Sequence, residues 1–432
     1  MGVLRVRWVF AIGGAASSVG GMSDSLNDRR ARVMGRNVPT FHDPPLHLVR
    51  GEGVWLWDAT GRRYLDCYNN VPHVGHCHPH VIEAIAAQSA RLNIHTRYLH
   101  DGVVTYLERL TAKMGHGLDQ GMLVCTGSEA NDVALRMAQA VTGHRGVIAT
   151  DNTYHGNTSA TSALSTRRPP IGGYPDHVRL LPAPDTGTTP QDFARHLEAA
   201  IADLEAAGHG FSGLMLCPAF ANEGLPEMGR GFLDLAAQVV RRTGGLILCD
   251  EVQPGFGRCG HWWGHDKLGF APDVVTLGKP MGNGHPVAGV VACPEVMAAF
   301  REAFGYFNTF GGNPVSAAAA MAVLDVIEDE GLVAHAARVG AHGRARLAAI
   351  SHPLVGEVRA NGLFFGVVLE RDGQPASRDA IEIVEEMREA GVLIGRIGRN
   401  MNILKMRPPM PITTDEIDLM ADTLAHVLEK RP

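Results

Sequence analysis

The sequence predicts an α/β protein: a mostly parallel central sheet flanked by helices, plus a smaller α+β lobe built from both chain ends. Three observations lead there. Short unbroken apolar runs at residues 146–150, 214–217, 246–249 and 274–277 alternate with helical segments, the pattern of a parallel sheet buried on both faces. The two ends instead mix short alternating strands with helices. The 432 residues can bury a large core without a disulfide or metal staple. Length alone would suggest roughly three domains. The element pattern suggests two lobes instead: residues 22–80 and 325–432 form the small one, and residues 81–324 the large one.

Taken in order, residues 1–21 read as a leader. Arg5 and Arg7 precede Trp8 to Ile12, and small residues follow to Gly21, a weak signal-peptide order. The apolar run is short, so a disordered or non-native leader with Met22 opening the protein is the favoured reading. From about Leu48, alternation punctuated by Gly51, Gly53, Asp58 and Gly61 predicts a strand meander. Helices follow at 80–94, 105–114 and 128–140. In the last, Val133 and Met137 are spaced i,i+4, and Ala130, Ala134 and Ala138 form a second row. Helices at 193–207 and 232–242 separate the central strands. Beyond them come helices at 313–328 and 334–350, a strand at 362–369, and helices at 379–390 and 414–429.

Composition narrows the partners. Lys+Arg 39 against Asp+Glu 45 gives a net charge of -6 with no basic run, so no nucleic-acid partner is expected. No run of about 20 apolar residues suggests a membrane span. Seven cysteines scattered over the chain do not read as a disulfide framework. They fit a reducing compartment, and the expected location is the cytoplasm. Glycine is unusual, at 51 of 432 residues against about 7 % in typical proteins.

In an open α/β sheet the ligand lies beyond the carboxyl ends of the strands. Three such ends carry polar residues. Thr126-Gly127-Ser128 opens a helix and offers free N–H groups and a hydroxyl to a phosphate, though an ordinary capping box reads the same way. Asp250 ends a Leu-Ile-Leu-Cys run, where a buried carboxylate calls for a cationic partner or a cap. Lys279 stands between a buried strand and a Gly-rich loop. Desolvation there lowers its pKa and frees the amine for Schiff-base chemistry. Pro280 after Gly278-Lys279, and the missing upstream glycine spacing, argue against a P-loop. Together the three segments describe a pyridoxal phosphate site. Tyr154 follows a strand and could stack on the ring.

At these residues the chain resembles the class III (subgroup II) aminotransferases, a fold type I pyridoxal phosphate family, from about Leu46 to the C-terminus. The motifs are GSEAND at 127–132, YHGNT at 154–158, CDEVQPGFGR at 249–258, TLGKPMGNGHPVAG at 276–289 and FNTFGGNP at 307–314. The resemblance implies that Lys279 is the Schiff-base lysine and proton shuttle, and that Asp250 keeps the pyridine nitrogen protonated. It implies that Gly127 and Ser128 bind the phosphate and that Tyr154 and Val252 cover opposite ring faces. Gln253 would lie near the ring hydroxyl, with His155 also at the cofactor. Thr309 would reach the phosphate of a neighbouring subunit, since the family is a homodimer with shared active sites. Whether dimers pair into a tetramer is left open. His76, Cys77, His78 and His80 offer metal-ligand atoms, but alternating neighbours seldom converge on one ion, and no metal is expected.

Segments at 69–79, 97–101 and 403–410 are similar to a subgroup that includes ethanolamine-phosphate phospho-lyases. Many aminotransferases of the class carry Arg where Lys405 stands, and Arg clamps a carboxylate bidentately where Lys is a point charge. The loop 217–224 departs from the usual Glu-Pro pattern, leaving open whether Asn222 or Glu223 takes the place of the partner glutamate. The first expectation is a transaminase that moves an amino group from a primary amine or ω-amino acid to a 2-oxo acid through the Lys279 Schiff base. The alternative is a phospho-lyase eliminating phosphate and ammonia from a phosphorylated amino alcohol such as O-phosphoethanolamine. Lys405 and Arg407 would then support the anionic group.

Overall fold

A computed structural model of the protein describes residues 25–35, 38–165 and 169–431. The expected leader lies outside the described residues. Chain contacts group Met1–His47 and Leu48–Pro432 as two units. In the first unit, Ser25 caps the helix Leu26–Met34 by accepting from the Asp28 N–H.

The second unit is organised around a seven-stranded sheet. Its order is Gln120–Val124, Ala288–Ala292, Val274–Leu277, Leu246–Asp250, Gly213–Leu216, Val147–Thr150, Val178–Leu181. Neighbouring strands run parallel except at Ala288–Ala292, which is antiparallel to both of its neighbours. The strands 147–150, 213–216, 246–250 and 274–277 are buried along their whole length, as unbroken apolar runs between two helical layers must be. The helix Gly127–Thr142 lies against this sheet through Ala130, Val133, Ala134, Met137 and Ala138, the two rows visible in the sequence. It ends at Gly143 in the left-handed conformation.

Two further sheets of this unit are built from residues 48–66 and 355–406. Leu48–Glu52, Trp55–Asp58 and Arg63–Asp66 form the meander, and Val392–Leu393 adds to it in parallel beside Leu65 and Asp66. A second sheet joins Val355–Asn361, Phe364–Arg371, Ile403–Met406 and Gly395–Ile397, with Gln374–Pro375 on its edge. The sequence reading assigns no strand at 355–361, 395–397 or 403–406. The first pairs antiparallel with Phe364–Arg371 around Gly362, whose positive φ of 57° makes the turn. The helix Pro314–Asp329 is continuous across residues 324–325, where the sequence divides the lobes.

Candidate active site

The carboxyl ends of the central strands place the predicted residues together. One cavity is lined by Gly127, Ser128, Asn131, Tyr154, His155, Gly156, Cys217, Asp250, Val252, Gln253 and Lys279.

At the helix start, the capping box and the anion cradle coexist. Thr126 Oγ1 accepts from the Glu129 N–H, and the Glu129 carboxylate accepts from the N–H groups of Cys125 and Thr126. That leaves Gly127 and Ser128 on the first turn, facing the cavity with the positive end of the helix dipole. Ser128 Oγ accepts from the Asn157 N–H at 3.0 Å, tying the 154–158 loop to the helix. The contact is close: a Cβ on Gly156 would lie 2.6 Å from Ser128 Oγ, and Gly156 has φ +141°. A Cβ on Gly127 would meet the Val252 methyls at 3.0 Å.

Asp250 ends its strand fully inside the protein. Its Oδ2 accepts from Asn131 Nδ2 at 2.9 Å and lies 2.7 Å from His155 Nδ1. Its Oδ1 accepts from the Val252 N–H at 3.0 Å. Asn131 is itself held: its amide donates to the His155 carbonyl, and its Oδ1 accepts from Thr276 Oγ1 at 2.6 Å. Thr276 is the strand partner of Asp250, so sheet register fixes the far end of this network. His155 Nε2 reaches Thr153 Oγ1 at 3.1 Å. Asn131 belongs to the GSEAND motif, but the sequence reading gives it no role. Only the structure shows that it is buried.

Lys279 follows Gly278 into a short 3₁₀ turn at φ +22°, a strained backbone for a residue with a side chain. Burial pushes its ammonium pKa down, with the Arg407 cation adding to the effect and Asp250 opposing it. Tyr154 lines the cavity with its ring part-exposed, and burial raises its phenol pKa.

Gln253 joins this wall to the C-terminal sheet. Its Oε1 accepts from Arg407 Nη1 at 2.6 Å and from Lys405 Nζ at 3.4 Å. Lys405 is buried and also donates to the Ala221 carbonyl at 2.6 Å. Arg407 donates to the Tyr68 carbonyl and lies over the Tyr68 ring, 4.9 Å from its centroid. Two cations thus converge on one amide oxygen at the cavity edge. Glu223 lies outside the cavity lining: its carboxyl accepts from Thr150 Oγ1 and the Asn222 N–H, and burial pushes its pKa up. The Asn222 main-chain carbonyl accepts from Asn152 Nδ2. Thr309 is exposed on the loop before Pro314 and does not line the cavity of its own chain. The histidines near residue 78 diverge, His76 to Asp66, His78 to Glu330 and His80 to Asp325.

These groups fit pyridoxal phosphate. A helix start narrowed to glycine suits a phosphate, a locked buried acid suits a protonated ring nitrogen, and a desolvated lysine suits an aldehyde.

The family model described as Aminotransferase class-III matches residues 37–428. A phospholyase from Arthrobacter, solved in complex with phosphoethanolamine, is similar at 43% identity and a TM-score of 0.92, covering 94% of this chain and 100% of that one. An "Alanine–glyoxylate aminotransferase 2-like" protein of Drosophila melanogaster is 38% identical over 407 residues, 88% of this chain and 81% of that protein. An ornithine aminotransferase from Toxoplasma gondii, whose structure shows partial occupancy of PLP at its active site, matches with a TM-score of 0.79 at 25% identity. It covers 95% of this chain and 96% of that one.

Proposed function

The chain belongs to the class III aminotransferases, and from that premise we propose that it is a phospho-lyase acting on a small phosphorylated amino alcohol. Its cofactor is pyridoxal phosphate. One observation carries the choice of reaction: Lys405 and Arg407 both donate to Oε1 of Gln253, a wall residue of the Lys279 cavity, so two cations stand behind that wall to support a dianion. The likeness to a phospholyase solved with phosphoethanolamine supports it.

Bound pyridoxal phosphate supplies an aldehyde for the substrate amine and an electron sink for the carbon that carries it. The protein's part is to hold and move protons and charge. Gly127 and Ser128 would hold the cofactor phosphate with N–H donors. Asn131, His155 and the Val252 N–H fix Asp250, which would keep a proton at the ring nitrogen. Lys279, with its lowered pKa, has a neutral amine available to take the proton from the substrate carbon. Lys405 and Arg407 then bind the substrate phosphate and stabilise it as the C–O bond breaks and it leaves with the electron pair. Water completes the reaction, releasing ammonia and an aldehyde.

Incubation with O-phosphoethanolamine and no 2-oxo acid tests this reading. Equal amounts of phosphate and ammonia are expected over many turnovers. A second reading is transamination, favoured by the Drosophila relative's name and needing the same Lys279 and Asp250. Amine-dependent conversion to the pyridoxamine form with no free phosphate would establish it instead. We place the protein in the cytoplasm, supported by seven free cysteines. We also infer a homodimer, supported by the exposed Thr309 loop, with the small lobe drawn from residues 22–80 and 325–432.

A further inference from the structure

Away from the cofactor cavity, the buried His265 ring has a nitrogen without a hydrogen-bond partner. His265 is fully buried on the short helix Gly264–Leu268, its ring parallel to the Trp263 indole. Its Nδ1 lies 2.9 Å from Glu251 Oε1, so a neutral ring carries its proton there and its lone pair on Nε2. That Nε2 has no hydrogen-bond partner. Asp266 Oδ1 is 3.7 Å away, too far for a hydrogen bond and close to the spacing of two ligands on one ion.

His116 faces the same point. The loop residues Gly115, His116 and Gly117 all have positive φ, 67°, 53° and 73°, a tight turn that presents an exposed imidazole 6.1 Å, centroid to centroid, from His265. One ligand atom from each of His116, His265 and Asp266 lies within 4.8 Å of the others. Cys249, Glu251 and His265 also cluster, but Glu251 is already committed: Oε1 accepts from the His265 N–H and Nδ1, and Oε2 from the Gly264 N–H.

We propose that His116, His265 and Asp266 form a binding site for a divalent transition metal of the zinc type, with water completing a tetrahedron. The donor set, two imidazoles and one carboxylate, favours zinc, nickel or copper over magnesium or calcium. Glu251 acts as the outer carboxylate that orients a ligating histidine. The unsatisfied Nε2 gains a partner, and His116 supplies its ligand from the exposed 115–117 loop. The ion ties the 115–117 loop to the helix and to Glu251, the residue after Asp250.

Zinc titration of the holoenzyme against a chromogenic zinc indicator tests this, comparing wild type with His116→Asn, Asp266→Asn and His265→Phe. Asn tolerates positive φ, and Phe keeps the aromatic packing. Retained cofactor absorbance shows that each variant is folded. Wild type should bind one zinc more than each variant, or bind it at least about tenfold more tightly. Zinc should also raise the thermal midpoint of wild type alone. Equal stoichiometry and affinity in wild type and the folded variants would overturn the site.

Discussion

Asp250 and Lys279 stand at the ends of neighbouring strands of one sheet and line the cavity, whereas Lys405 and Arg407 come from another sheet and reach its wall only through Gln253. Asp250 is held by main chain and by short side chains with few rotamers, Asn131, Thr276 and the Val252 N–H, and Lys279 is placed by the turn after Gly278. The second pair are long cations brought in from the strand Ile403–Met406 and the residues that follow it, and aimed by contacts with Ala221, Gln253 and Tyr68. The proposed cofactor wall is therefore set by sheet register, and the proposed substrate contacts by packing between sheets.

The sharpest way to break the comparison is Lys279→Ala. Turnover should fall by about 10²- to 10⁴-fold, the usual share of a positioned proton-transfer group. Phosphate release and loss of the lysine-dependent cofactor absorbance would both report it. Lys405→Met comes next. Phosphate release from O-phosphoethanolamine should lose about 10- to 100-fold in kcat/KM, as expected for one charge-assisted contact of about 1.5–3 kcal/mol. Amine-dependent changes in the cofactor spectrum with an unphosphorylated amine should change little. Equal losses for both amines would place Lys405 on the cofactor wall instead.

Arg407→Met probes the link between the walls. Arg407 helps to depress the Lys279 pKa, so removing its charge should move the acid limb of the pH–rate profile upward. The same depression fixes a sign in the cofactor-free protein. Between the lowered folded pKa and the ordinary lysine value of 10.5, the unfolded chain binds the extra proton, so stability rises with pH through that window. Asn131→Ala gives the smallest effect. Removing a buried donor from Asp250 and an acceptor from Thr276 should cost about 1–3 kcal/mol, read from denaturant unfolding.

Much of the cofactor wall was legible because each group sits beside a local signal. A buried apolar run ends at Asp250, another ends at Gly278-Lys279, and Gly127-Ser128 follows Thr126 at a helix start. Asn131 was harder to read, since an asparagine inside a helix has no local pattern to separate a surface position from a buried hydrogen-bond hub. Lys405 was flagged only as a departure from arginine, and its anchor, the Ala221 carbonyl, lies 184 residues away. Ala288–Ala292 was missed as a strand because a short Gly-containing apolar run behind a Gly-rich loop has weak periodicity. Its antiparallel place between two central strands depends on both neighbours.

By itself the sequence determined the α/β class, and it marked Gly127-Ser128, Asp250 and Lys279 as candidate groups in their chain order. Apolar runs and strand-end residues are local properties of the chain. Tertiary structure alone decided that Val392–Leu393 joins the N-terminal meander, that Asn131 locks Asp250, and that two cations meet at Gln253. Those pairings link residues more than a hundred positions apart. Their partners are chosen by sheet register and by the requirement that buried polar groups be satisfied, neither of which leaves a local trace.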